Sequence, residues 1–119
     1  MSVSFFGSNI GPTDIQEVIY LFPELSKVTN SFAIKITENK NGDKELVICI
    51  ELLKNTKANS LNANSFKIKF FKKLEEVNQD FKKGNEMAND QNKTQLHFFK
   101  YNTGSFADND IRIKAKYIN

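Results

Sequence analysis

Apolar residues recur along the chain in two periods, and the changes of period mark the elements. Ile15, Val18, Ile19 and Phe22 fall three and four apart, the spacing that gathers side chains on one face of a helix. Thr13 with Gln16 three residues on has the form of a capping box, and Asp14 and Glu17 lie in the first turn, where the helix dipole favours them. Pro23 cannot continue a helix, so the pattern predicts a helix from Thr13 to Leu21. The period then drops to two. Phe32, Ile34 and Ile36 alternate with Ala33, Lys35 and Thr37, and a second run, Glu45 to Leu52, follows Asn39-Lys40-Asn41-Gly42-Asp43. Two such runs about an Asn-Gly turn predict a β-hairpin. The second run is apolar on both faces at its middle, which predicts a central strand covered on at least one side.

Asn55 to Asn64 is polar and reads as a loop. From Asn64 to Met87 the helical spacing returns in Phe66, Phe70, Leu74, Val77 and Phe81, predicting one long helix whose last turn Gly84 weakens. A second polar loop, Asn89 to Lys93, leads to a short strand, Gln95 to Lys100. The closing run, Ile111 to Ile118, alternates apolar and basic residues in the manner of a half-buried strand. The expected architecture is α+β: a small antiparallel sheet with both helices packed on one face. It is expected to form a single domain over 1–119, without repeats or a linker.

Composition narrows the function classes. Hydrophobic residues at 39% and charged residues at 26% fit an ordinary soluble domain and exclude a disordered chain. The apolar run Leu46–Ile50 is far short of the ~20 residues a spanning helix needs, and no basic-then-apolar leader opens the chain. The single cysteine, Cys49, cannot form an internal disulfide and fits a reducing compartment, so a cytoplasmic protein is expected. A formal charge of +3 permits weak attraction to phosphates but is small for a dedicated nucleic-acid binder.

Few residues offer chemistry. His97, the only histidine, sits in a strand beside Phe98 and reads as locally satisfied or exposed. Cys49 lies mid-strand between Ile48 and Ile50 and reads as a buried structural thiol. One His and one Cys make no ordinary metal site, and adjacent Glu75-Glu76 points in different directions on a helix, as a solvated face does. Two features remain. The loop Phe5-Phe6-Gly7-Ser8-Asn9-Ile10-Gly11-Pro12 runs into a helix N-terminus, where backbone can approach an anion, although it also reads as a plain turn. Arg112, Lys114 and Lys116 share one face at period two, suited equally to an anion contact or a charged edge that resists aggregation. Eleven phenylalanines without a tryptophan could stack on bases, but most fall at core spacing.

The stretch Phe6-Gly7-Ser8-Asn9-Ile10-Gly11-Pro12-Thr13-Asp14-Ile15-Gln16-Glu17-Val18-Ile19 resembles the start of the C-terminal lid domain of phenylacetate–coenzyme A ligases and their acyl-adenylating relatives. Pro23-Glu24-Leu25, Asp80-Phe81 and the closing Asp110-Ile111-Arg112-Ile113-Lys114-x-Lys116-Tyr117-Ile118 extend the resemblance over nearly the whole chain. It implies a ferredoxin-like lid that rotates on a large N-terminal adenylating domain, the expected partner, which lies outside this sequence. That whole enzyme would use ATP and coenzyme A, with Mg in the adenylating domain, to activate a carboxylic acid such as phenylacetate. The lid is expected to be inactive alone. By position, Gly7 would border the pantetheine path with Ser8 and Asn9 beside it. Lys114 would be the adenylation lysine, with Arg112 or Lys116 as substitutes. The family's arginine before the loop glycine is Phe6 here, and its Ser-x-Gly-Lys run is Ala107-Asp108-Asn109-Asp110. The alternative left open by the residues is a non-enzymatic ferredoxin-like module that contacts a partner such as nucleic acid. No membrane association is expected, and a homodimer stays open.

Overall fold

The computed structural model describes residues 3–5, 8–38, 40–57, 62–88, 94–107 and 113–114. The chain begins with a small antiparallel hairpin, β1 (Val3–Phe5) and β2 (Ser8–Ile10), in which Phe5 pairs with Ser8 and Val3 with Ile10. It runs at once into helix α1 (Pro12–Leu21). Pro12 occupies the first helical position, where its fixed φ suits the helix and its missing N–H costs nothing. The helix therefore starts a residue before the expected Thr13, and its cap is Gly11. The Gly11 N–H donates to the Asp14 carboxylate at 3.0 Å, so Asp14 takes the part expected of Gln16. Pro23 ends α1 as expected and opens a single turn, α2 (Pro23–Ser26).

Strands β3 (Thr29–Glu38) and β4 (Lys44–Leu52) form the expected hairpin, with Gly42 left-handed in its turn (φ 81°). The expected long helix is two helices, α3 (Ala63–Val77) and α4 (Gln79–Ala88). Between them Asn78 is extended (φ −127°, ψ 103°). Its side-chain oxygen accepts from the Phe81 N–H at 3.0 Å, replacing the helical carbonyl that the break removes. Strand β5 (Thr94–Phe99) follows, then a 3-10 turn at Gly104–Phe106 and strand β6 (Ile113–Lys114).

The main sheet has the order β5-β4-β3-β6. The α+β architecture matches the reading of the sequence, but the sheet is mixed where an antiparallel one was expected, because β5 pairs with β4 in parallel. A parallel neighbour needs a long crossover, and the stretch carrying α3 and α4 supplies it. Strand β4 is central, as its apolar pattern predicted. Phe32, Ile34, Leu46, Ile48, Ile50, Leu52 and Leu96 pack on Ile15, Val18 and Ile19 of α1, Phe70, Phe71 and Leu74 of α3, and Phe81 of α4. The opposite face holds a second, smaller cluster: Ala33, Val47 and Cys49 covered by Phe106, with Phe99 alongside. Both faces of β4 are thus removed from water, by helices in front and by the segment after β5 behind.

Phe32 is fully buried in the front core, whereas Ile68 on α3 is 71% exposed. Phe32→Ala should lower the unfolding free energy by about 3–5 kcal/mol, and Ile68→Ala should change it by less than about 0.5 kcal/mol. Urea titrations followed by circular dichroism distinguish the two, and equal midpoints would contradict this core.

Candidate functional site

The residues singled out by the sequence lie in two places. The first is the N-terminal hairpin. Ser8 pairs with Phe5, so residues 6 and 7 join the two strands. Gly7 itself is outside the described residues. Asn9 is exposed, and its backbone carbonyl accepts from Asn78 Nδ2 at 2.9 Å. The same Asn78 nitrogen reaches the Asp14 carboxylate at 3.2 Å. One side chain at the α3–α4 break therefore caps α4, holds the root of the hairpin and touches the cap of α1. At the N-terminus of α1 the Asp14 carboxylate already accepts from the Gly11 N–H, so one backbone donor of the helix end is satisfied within the chain.

The second place is the far edge of the main sheet. Lys114 pairs with Ser31, and Ile113 with Phe32, so β6 lies antiparallel along β3. Arg112 and Lys116 are outside the described residues. On its other side Ser31 pairs with Glu51 of β4. Lys114, Ser31 and Glu51 thus share one register line across three strands.

Glu51 is the feature the sequence reading passed over. It is fully buried, and the cost of burying a carboxylate demands hydrogen-bond donors. Asn30 Nδ2 donates to Oε1 at 2.8 Å and Ser31 Oγ to the same oxygen at 2.6 Å. The Asn102 backbone N–H donates to Oε2 at 2.7 Å. The β3–β4 register slips between Thr29 and Ser31, a bulge that sets two consecutive residues, Asn30 and Ser31, against one. Asn102 adopts a left-handed backbone (φ 56°) in a turn closed by the Thr103 N–H on the Lys100 carbonyl at 3.2 Å, a conformation asparagine tolerates. Gly104, also left-handed (φ 57°), lies so close to the Phe99 ring that an added Cβ would sit 2.5 Å from it. A polar residue inside an apolar strand run, Ile50-Glu51-Leu52, was the one available signal.

The remaining candidates have local surroundings. Cys49 is buried in the back cluster. His97 is exposed and its Nε2 lies 2.8 Å from Gln95 Oε1, while Gln95 Nε2 donates to Glu45 at 2.9 Å. Glu76 pairs with Lys73 at 3.1 Å on the solvated side of α3. Among the described residues no group of three His, Cys, Asp or Glu side chains converges as a metal site would require, and no helix is long and apolar enough to cross a membrane. No protein-family model, curated protein or solved structure matches the chain.

Asn78→Ala removes the α4 cap and the tie to the hairpin together. The expected loss is about 1–3 kcal/mol of stability, with faster amide exchange at Phe81. Wild-type stability and exchange in that variant would show that the Asn78 contacts do not hold these elements.

Proposed function

We propose that the domain is the mobile lid of an ATP-dependent, AMP-forming carboxylic acid–coenzyme A ligase. Its partner would be a larger adenylating domain, and its acid an aryl acid of the phenylacetate kind. The observation that carries the reading is the β1–β2 hairpin, with Phe5 paired to Ser8, feeding directly into α1. A lid must deliver a loop to a thioester-forming site without reshaping it, and a loop held at its root by Asn78 is suited to such delivery.

In this reading the reaction has two steps. The carboxylate first displaces pyrophosphate from ATP to give an acyl-adenylate, and the coenzyme A thiol then displaces AMP. Lys114 serves the first step, where an ammonium can offset charge growing on carboxylate and phosphate oxygens. The hairpin tip serves the second, and exchange between the two poses is a hinge motion. A module that stacks nucleic-acid bases is less well supported. The nine phenylalanines whose burial is described are buried or half-buried and packed in or against the two cores, which leaves little ring face for stacking on bases.

The test uses the complete gene product with its adenylating domain. Lys114→Ala should slow acid-dependent ATP–pyrophosphate exchange by roughly 100-fold or more, while Gly7→Leu should spare exchange and slow acyl transfer to coenzyme A. Unchanged exchange in the lysine variant would sink the assignment.

A further inference from the structure

Glu51 ties together three segments that are separate in sequence. Its Oε1 accepts from Asn30 and Ser31 of β3, and its Oε2 from the backbone of the Lys100–Thr103 turn. That turn starts the chain on its path from β5, at one edge of the sheet, to β6, at the other. Ser31, the residue that donates to Glu51, is also the register partner of Lys114. The carboxylate is therefore bonded both to the strand that receives β6 and to the turn that launches the chain toward it.

We infer that Glu51 is a positioning residue for Lys114: the buried carboxylate fixes the β3 edge and the 100–103 turn, and thereby the placement of β6. The inference rests on the lid reading for Lys114's chemistry, but the link from Glu51 to β6 is independent of it. Three features carry this. The carboxylate is fully buried, so its donors are not interchangeable with water. A strand bulge presents two of those donors together. The third comes from a turn 51 positions away in sequence, which makes the group a long-range tie and not a local one.

Glu51→Gln keeps the shape but turns one carboxylate oxygen into an N–H donor. If Oε1 stays toward Asn30 and Ser31, the new amide faces the Asn102 N–H, donor against donor. The turn should loosen while the front core, on the opposite face, stays intact. In the 119-residue chain, amide exchange at Ile113 and Lys114 should accelerate at least tenfold more than at Ile48. In the complete enzyme, pyrophosphate exchange should fall about tenfold to a hundredfold, while thioester formation from preformed acyl-adenylate stays within about twofold of wild type. Ser31→Ala, which removes one donor and leaves the carboxylate, should give the same selective loss in smaller measure and serves if the glutamine variant fails to fold. Equal losses in both half-reactions, or unaltered exchange at β6, would overturn the positioning role. Should Lys114→Ala leave pyrophosphate exchange untouched, the lid assignment itself fails. Should Lys114→Ala abolish it while Glu51→Gln and Ser31→Ala do not, only the present inference fails.

Discussion

The whole domain is arranged around the need to dry both faces of one strand. In β4, Leu46, Ile48, Ile50 and Leu52 point one way and Val47 and Cys49 the other, and all six are buried. At about 25 cal/mol per Å² of apolar surface removed from water, leaving either face wet would forfeit much of a small domain's stability. The front is closed by α1, α3 and α4, whose apolar stripes match it. Among the described residues no α-helix covers the back. It is closed by one aromatic residue, Phe106, set edge-on to Phe99 with ring centroids 5.6 Å apart. The segment carrying Phe106 must therefore lie across the sheet, and something must hold it there.

Glu51 supplies that hold at a point where hydrophobic contact cannot. A single ring gives area but little direction, whereas a carboxylate accepting from a turn N–H specifies distance and angle. Gly104 complements it: a Cβ there would collide with Phe99, so the backbone can come close enough for Phe106 to reach the back cluster. Burial of a carboxyl group costs free energy without hydrogen-bond donors, and the bulge at Asn30 presents two of them. The bulge, the left-handed Asn102 and the glycine are three local irregularities with one shared consequence, the seating of the 100–106 segment against the back of the sheet.

Much of this frame was legible in the sequence because it rests on period. The β3–β4 hairpin, the central place of β4, the helix at α1 and the buried thiol of Cys49 all follow from apolar spacing and turn chemistry. Other features escaped for physical reasons. Leu74, Val77 and Phe81 keep helical spacing straight across Asn78, so periodicity cannot register a one-residue break that a side chain repairs. The residues Thr94 to Phe99 alternate in the same way beside a parallel or an antiparallel neighbour, so the direction of β5 is set by the crossover and not by its own pattern. Proline at position 12 moved the helix start, since its fixed φ outweighs the cap that Thr13 offers. The donors of Glu51 come from a bulge and a distant turn, neither of which leaves a local mark.

The two places proposed to do chemistry differ in how they are held, and the difference suits their proposed tasks. The hairpin root is held by one exposed bond, from the Asn78 side-chain amide to the Asn9 carbonyl, which water can compete for. The β3 edge beside Lys114 is held by a fully buried carboxylate, where solvent does not compete. A loop that must enter a narrow channel tolerates small adjustments at its root. A charge that must meet developing negative charge within ångströms does not, because electrostatic stabilisation depends on a prearranged distance. The less yielding tie is therefore at Ser31, the β3 residue whose register partner is Lys114, which is where the proposed lid would need it.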